Sequence, residues 1–494
     1  METLDHHTCY QAVSRRDARF DGRFYTAVTT TGIFCRPSCP ARTPRSSNVR
    51  FFSHAAAASA AGFRPCRRCR PELAPGHPEW NRRADLTGRA LRLIDTGMIE
   101  RSGVVGLASR LGVSERHLRR ELRATIGTGP LQLARARRLW LARLLLDQTN
   151  LSVTDVAHAS GFGSLRQFND SIRRAFDAPP SALRRRRGGL GDDTAVTLHL
   201  PCRGPLRWEG VHAFLAQRAL PGLEEATADR FRRIVGGGWI ELGPAAPGDD
   251  ALVVTCALDQ LSDLAEVLPR LRAVADLDTD LEVIERQLAT DPDLGARLAA
   301  DPLPRLPGVF DPFEVTVRAV VGQQVSVAAA RTLLGRLLRI VSPGPPTGFP
   351  SPDEVAAADL GGLGIPRRRR ATITALARAV ADGAVVLDPD TAPDELRRQL
   401  QAVPGIGPWT AGYVAMRALS DPDGWPPGDL GLRRSLGVAP AELERRAERW
   451  RPWRAYAAVL LWHSDPTFAP PPATTPTDPD TTDPDTTEPD TRTT

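Results

Sequence analysis

Apolar and polar positions along this chain change their period several times, and each change marks a different kind of element. Between residues 82 and 187 the pattern is that of Arg-rich amphipathic helices broken by two tight turns. It then shortens: VTLHLPCRGPLRW, GGWIELG and ALVVTCAL read as β-strands around a helix at Trp208–Arg218. Helical spacing returns in DPFEVTVRAVVGQQVSVAAARTLLGRLL, which reads as a helix pair. A turn, an arginine cluster at Arg367–Arg370 and a further helix follow. Within Leu400–Leu436 two apolar helices meet at Pro404-Gly405-Ile406-Gly407-Pro408, where glycines permit a sharp turn and leave N–H groups free to hold an anion. Past Phe468 the periodicity ends in a Pro/Thr/Asp tail too polar to form a core. These shifts predict a multidomain chain, mainly α with α+β parts, divided at 1–78, 82–187, 194–305, 306–468 and 469–494. PELAPGHPEW (71–80) reads as a linker and Arg184–Asp193 as a hinge.

At 494 residues the chain is too long for a single core. Its 64 basic residues are all arginine, and the formal charge is +6. The segment from Ala469 holds six acidic residues and one arginine, a net −5, so the remainder carries about +11. That excess suits a polyanionic partner, although a solvated arginine-rich surface produces the same number. The N-terminus lacks an apolar signal core and no stretch reaches about 18 apolar residues, which predicts a cytoplasmic protein with no membrane contact; a DNA partner would make it nucleoid-associated.

Four of the seven cysteines form two close pairs, Cys35/Cys39 and Cys66/Cys69, separated by 26 residues. Paired thiolates on separate turns point to one tetrahedral Zn²⁺ rather than disulfides; Cys9 stands outside the pattern, and His54 is an alternative ligand to a site that four thiolates already complete. A closed zinc site is usually structural. RDARFDGRFYTAVTTTGIFCRPSCPAR…GFRPCRRC, however, resembles the N-terminal domain of the Ada family. That resemblance implies that Cys35 accepts a methyl group from a methylated DNA phosphate, with Arg42 and Arg64 contacting phosphate. Four thiolates on Zn²⁺ carry −2, and methylation leaves −1, so DNA binding should strengthen after transfer.

In VVGLASRLGVSERHLRRELRATIG, Gly112 sits in a turn and Ser114 caps a helix exposing Glu115, Arg116, Arg119 and Arg120. In TDVAHASGFGSLRQFNDSIRRAFDAPP, Gly161 and Gly163 form the turn and Ser164 caps a helix presenting Arg166, Gln167, Asn169 and Arg173. Such helices suit the major groove, and an ordinary helical bundle has the same pattern. The GFGS…F…R.F…P ending resembles the AraC-type DNA-binding domain, which implies a double helix-turn-helix reader of promoter DNA. It also implies RNA polymerase as a further partner, and a monomer is expected. Pro201-Cys202-Arg203 lacks the histidine of a methyltransferase motif and reads as packing.

The string LQAVPGIGPWTAGYVAMRALSDPDGWPPGDLGLRRSL resembles the AlkA-type glycosylases, an all-α helix-hairpin-helix (HhH-GPD) domain preceded by an α+β one. The resemblance implies a base pocket walled by Trp409, Tyr413 and Trp462, with Asp429 as the catalytic acid; on residue grounds alone, an Asp after Pro-Pro-Gly is a helix cap. It places a duplex wedge at Gln324 and hairpin DNA contacts at Gly405, Gly407 and Thr410. It also implies a monovalent cation on the carbonyls of Gln401, Val403 and Gly405. Cationic 3-methyladenine and 7-methylguanine suit aromatic walls. With no lysine for a Schiff base, base excision without lysine-mediated strand cleavage is expected. The resulting expectation is a bifunctional alkylation-damage protein, both methylation-responsive activator and glycosylase. The rival reading is a regulator whose glycosylase-like half only binds DNA.

Overall fold

The computed structural model describes residues 5–73, 86–184, 195–246 and 250–464. Most of the expected 71–80 linker, most of the 184–193 hinge and the 469–494 tail lie outside these residues.

The first segment opens with helix His6–Ser14, whose N-terminus is capped by Asp5 accepting from Thr8 N–H at 2.8 Å. Strands β1 (Tyr25–Val28), β2 (Ile33–Cys35), β3 (Val49–Phe52) and β4 (Arg64–Pro65) form a sheet in the order β3-β1-β2-β4. β2 runs parallel to β4, and that pairing brings the end of β2 beside the second cysteine pair. His54 is not part of the cluster: its Nδ1 caps helix Ala55–Ala60 by accepting from Ala56 N–H, and burial pushes its imidazole down to about 4.

Two helical units follow, joined by a long connecting helix, Pro130–Gln148. The helices Glu115–Ile126 and Leu165–Phe176 begin as their sequences predict. Ser114 accepts from His117 N–H and Ser164 from Gln167 N–H, both at 3.2 Å. Each buries an i, i+4, i+8 stripe, Leu118/Leu122/Ile126 in the first and Phe168/Ile172/Phe176 in the second. Gly112 and Gly161 hold the left-handed turns ahead of them.

The mixed region contains a five-stranded antiparallel sheet, order β5-β9-β8-β7-β6, from β5 (Val196–Pro201), β6 (Glu224–Ala226), β7 (Phe231–Val235), β8 (Gly238–Pro244) and β9 (Ala251–Leu258). Helix Trp208–Arg218 falls on its expected span. β6 and β7 were not expected because EEA and FRRIV place charge where a strand core should be apolar. The structure shows why that charge is tolerated: Arg233 bonds Glu224 across the β6–β7 pair and Glu314 on helix Pro312–Val321, which Arg318 bonds as well. All but Arg318 are nearly fully buried, so this quartet welds the sheet to the helical region.

The last region is helical from Pro312 to His463. One apolar core runs from Leu281, Ile284 and Leu288 to Trp425, Trp450 and Leu461. The stretch 281–306 therefore packs with the C-terminal helices. Arg305, 1% exposed, fixes this junction by donating to the carbonyls of Leu206, Arg203 and Pro205 at 2.6–2.8 Å. Among the described residues no helix is long and apolar enough to cross a membrane.

Candidate functional sites

The four cysteines Cys35, Cys39, Cys66 and Cys69 place their sulfurs within 4.8 Å of one another, with Cys39 and Cys66 at 4.0 Å, and none is in a disulfide. A tetrahedron with zinc–sulfur bonds of about 2.3 Å has edges of about 3.8 Å, so the cluster fits a Zn²⁺ ion. Mutual hydrogen bonding separates the thiols in acidity, Cys35 upward chiefly through Cys39 and Cys66 downward chiefly through Cys35. Cys39, Cys66 and Cys69 are buried, whereas Cys35, at the end of β2, is half-exposed. The 36–38 turn beside it is pinned to Asp21, which accepts from Ser38 N–H at 3.0 Å and pairs with Arg36 at 3.4 Å. Cys9 packs apart, with Ala12, Val13 and Phe24. Arg42 is exposed. Arg64 is ion-paired with Asp177, the residue that ends helix Leu165–Phe176 in a left-handed conformation, rather than turned free to solvent.

Arg116, Arg119, Arg166, Gln167 and Arg173 are all exposed on their two helices. Arg119 already carries an i,i+4 pair with Glu115 at 2.7 Å.

The third constellation lies in a cavity of about 690 Å³. Asp429 is both the helix cap and the pocket carboxylate, two roles that sequence reasoning set against each other. Its Oδ1 accepts from Leu432 N–H at 2.8 Å, capping helix Leu430–Leu436, and from the Trp462 indole N–H at 3.1 Å. Its Oδ2 accepts from the Trp409 indole N–H at 2.7 Å. Three donors thus orient a carboxylate that is 6% exposed and lines the cavity, with a single hydrogen bond on Oδ2. Trp409 and Tyr413 stack at 5.4 Å with planes 5° apart, and Trp462 meets Tyr413 edge-on at 6.2 Å. Asp421 and Asp423, the neighbouring acids, do not line the cavity, and Asp423 is held by Arg451 and Arg454.

The hairpin turns at Gly405 (φ 92°), where a Cβ would fall 2.1 Å from the Thr372 hydroxyl. Gly405 and Gly407 are exposed, and the first-turn N–H groups of helix Pro408–Ala418 have no acceptor within the helix. Thr410 is buried, and its hydroxyl accepts from Gln323 Nε2 at 3.1 Å. Gln323 also donates to the Gly405 carbonyl at 3.3 Å, and the Val403 carbonyl accepts from Ile406 N–H. Gln324 lines the cavity in a left-handed conformation (φ 58°), an unusual state for a side chain other than Gly, Asn or Asp.

Sequence reasoning missed a further part of the cavity lining. Phe214, from the helix Trp208–Arg218, meets the guanidiniums of Arg218 (3.8 Å) and Arg417 (4.3 Å) over its ring. Burial pushes Arg218 down to about 10, and Arg417 donates to the Tyr413 hydroxyl at 3.1 Å. The only signal was a Phe and an Arg four residues apart on a helix that reads as mere support.

The description "Metal binding domain of Ada" matches residues 8–72, "Helix-turn-helix domain" matches 107–186, and "AlkA N-terminal domain" matches 197–311. The chain is 46% identical over 481 residues to the probable bifunctional transcriptional activator/DNA repair enzyme AlkA of Mycobacterium tuberculosis, covering 93% of this chain and 96% of that protein. The chain belongs to that bifunctional AlkA family. Its second half is 32% identical over 275 residues to DNA-3-methyladenine glycosylase 2 of Escherichia coli, covering 53% of this chain and 95% of that one. Its first part is 44% identical over 135 residues to the E. coli bifunctional transcriptional activator/DNA repair enzyme Ada, 26% of this chain and 36% of Ada. The AlkA family thus spans all three constellations in one polypeptide.

Proposed function

We propose that this protein is a bifunctional alkylation-response protein, a methylation-switched transcription activator fused to a DNA glycosylase. The observation that carries it is Asp429, oriented by two indole N–H groups and a backbone N–H at the wall of an aromatic cavity. A damaged nucleotide, rotated out of the duplex, stacks against the aromatic wall, and the adjacent Gln324 fills the gap. As the N-glycosidic bond lengthens, positive charge builds on the sugar, and the Asp429 carboxylate stabilises it or orients the attacking water. Bases of the 3-methyladenine and 7-methylguanine type leave readily because they already carry positive charge. The chain has no lysine, so the reaction stops at base release. The hairpin N–H groups grip backbone phosphate, with the carbonyls of Gln401, Val403 and Gly405 offered to a monovalent cation.

In the N-terminal segment, Cys35, Cys39, Cys66 and Cys69 would hold Zn²⁺, which supplies the positive charge that keeps Cys35 a thiolate. The half-exposed Cys35 sulfur attacks the methyl carbon of a methylphosphotriester. The S–C bond forms as the C–O bond breaks, and the phosphodiester leaves as an anion. The thioether is permanent, so each molecule reacts once and thereafter binds promoter DNA more tightly. DNA carrying isotope-labelled methyl groups tests both halves. Label on Cys35 together with labelled free bases is expected. Protein label without free base would return the C-terminal half to a DNA-binding role; free base alone would leave Cys35 a structural ligand.

A further inference from the structure

A second cavity, about 410 Å³, opens between the connecting helix Pro130–Gln148 and the helix Leu165–Phe176. Arg135 and Arg138 enter it from the first helix, and Arg166 and Arg174 from the second. Asp170 is the one carboxylate lining it, and Ser164 brings the N-terminus of a 12-residue helix to its edge. Arg138 has a partner outside, Glu100 at 3.6 Å, and lies over Phe162. Among the described residues, no carboxylate is within ion-pair distance of Arg135, Arg166 or Arg174.

Several other arginines of the same unit are neutralised. On the connecting helix, Arg137 donates to the Asp95 and Ala265 carbonyls, and Arg143 faces Glu72 and Asp147. On the first exposed helix, Arg119 is paired with Glu115 and Arg120 meets His117 at 2.9 Å. Around this groove Arg135, Arg166 and Arg174 converge without such partners among the described residues. Burial, then the charges of Arg174 and Arg138, hold the Arg135 guanidinium below its ordinary range. A bound anion would remove that repulsion.

We propose that this groove seats a backbone phosphodiester of DNA, held by Arg135 and Arg174, and so fixes where the second reader helix stands in the major groove. The inference rests on the reading of this region as a DNA reader. The spacing divides the labour: Arg174 is two helical turns from Arg166, so a phosphate at one end of the helix leaves Arg166 and Gln167, in its first turn, for base edges. Asp170 in the same groove repels a second negative charge, which favours a monoanionic diester over a terminal phosphate.

The test uses full-length, zinc-loaded protein and two duplexes: one selected by the wild type from a randomised pool and one scrambled. Affinities are measured from 50 to 200 mM NaCl. Each phosphate contact contributes about 3.5-fold to the loss of affinity over that range. R135A/R174A should therefore weaken binding to both duplexes equally and shrink the salt-dependent loss by about 3.5-fold, the share of one phosphate. R135K/R174K, which keeps both charges, should retain the wild-type slope and controls for misfolding. Q167A should weaken only the selected duplex. An unchanged slope in R135A/R174A, or a loss confined to the selected duplex, overturns the phosphate assignment. If the wild type selects no sequence at all, the reader assignment fails, while the slope on random DNA still decides the groove.

Discussion

The two chemical centres of this molecule are built in opposite ways. The cysteine cluster is local: four identical ligands on two turns, joined by a β2–β4 pairing within one short segment. The pocket is distributed: Phe214, Gln324, Trp409, Tyr413, Asp429 and Trp462 arrive from distant parts of the chain. In the cluster, residue type and spacing define the site, and exposure separates Cys35 from its three buried neighbours. In the pocket, spacing defines only one face. The function of each wall residue depends on which strand or helix stands opposite, a long-range fact that periodicity does not carry. Local sites are read from the chain; distributed ones are read from the fold.

The sharpest break of this contrast removes each centre separately. C35S should abolish methyl transfer to protein while leaving base release intact, measured with labelled DNA. D429N should lower base release by about 10²–10⁴-fold with methyl transfer unchanged. Asn is chosen because it still caps the helix through the Leu432 N–H, whereas Ala would also cost about 1 kcal/mol of helix stability. If either substitution silences both activities, the centres are not independent and the comparison fails.

A smaller but still large effect is expected at the seam between sheet and helices. E314Q leaves the buried Arg233 and Arg318 short of a counter-charge and should destabilise the protein by about 3–5 kcal/mol in chemical denaturation. An unchanged midpoint would mean that the quartet is dispensable. This is also where sequence reading stopped short. The caps Ser114 and Ser164, the helix Trp208–Arg218 and three strands were legible, because their signals are local. β6 and β7 were not, because a buried arginine in a strand makes sense only once its partner glutamates are in place. The same holds for Arg64, legible as basic but not as the partner of Asp177.

Within the pocket, the two tryptophans sharpen the picture further. W462F keeps the aromatic wall but deletes one indole donor to Asp429 at 3.1 Å. The loss of a charge-assisted hydrogen bond on the order of 1.5 kcal/mol corresponds to about a tenfold slower base release with little change in DNA affinity. W409F removes the shorter bond, 2.7 Å, and should be slower still. Equal rates for both variants and the wild type would show that the aromatic wall, not its N–H groups, sustains the carboxylate.

A further effect is expected at a different seam, where the zinc segment meets the connecting helix. Burial pushes Glu72 up to about 7, with Arg143 at 3.9 Å and Arg70 and Asp147 also facing it. The folded protein therefore holds a proton that the unfolded chain releases near 4.5. The sign follows from this: the folded state binds the extra proton between about 4.5 and 7, so this group's contribution to stability falls as pH rises through that window and levels off above it. E72Q is neutral throughout and should lack that slope. The informative quantity is the difference between wild type and E72Q in denaturation midpoint at pH 5 and at pH 8, since protonation of the cysteines acts on both proteins alike. A difference that stays constant across the two pH values would place the Glu72 proton elsewhere. It would also leave the seam between cluster and reader as a fixed joint, insensitive to pH.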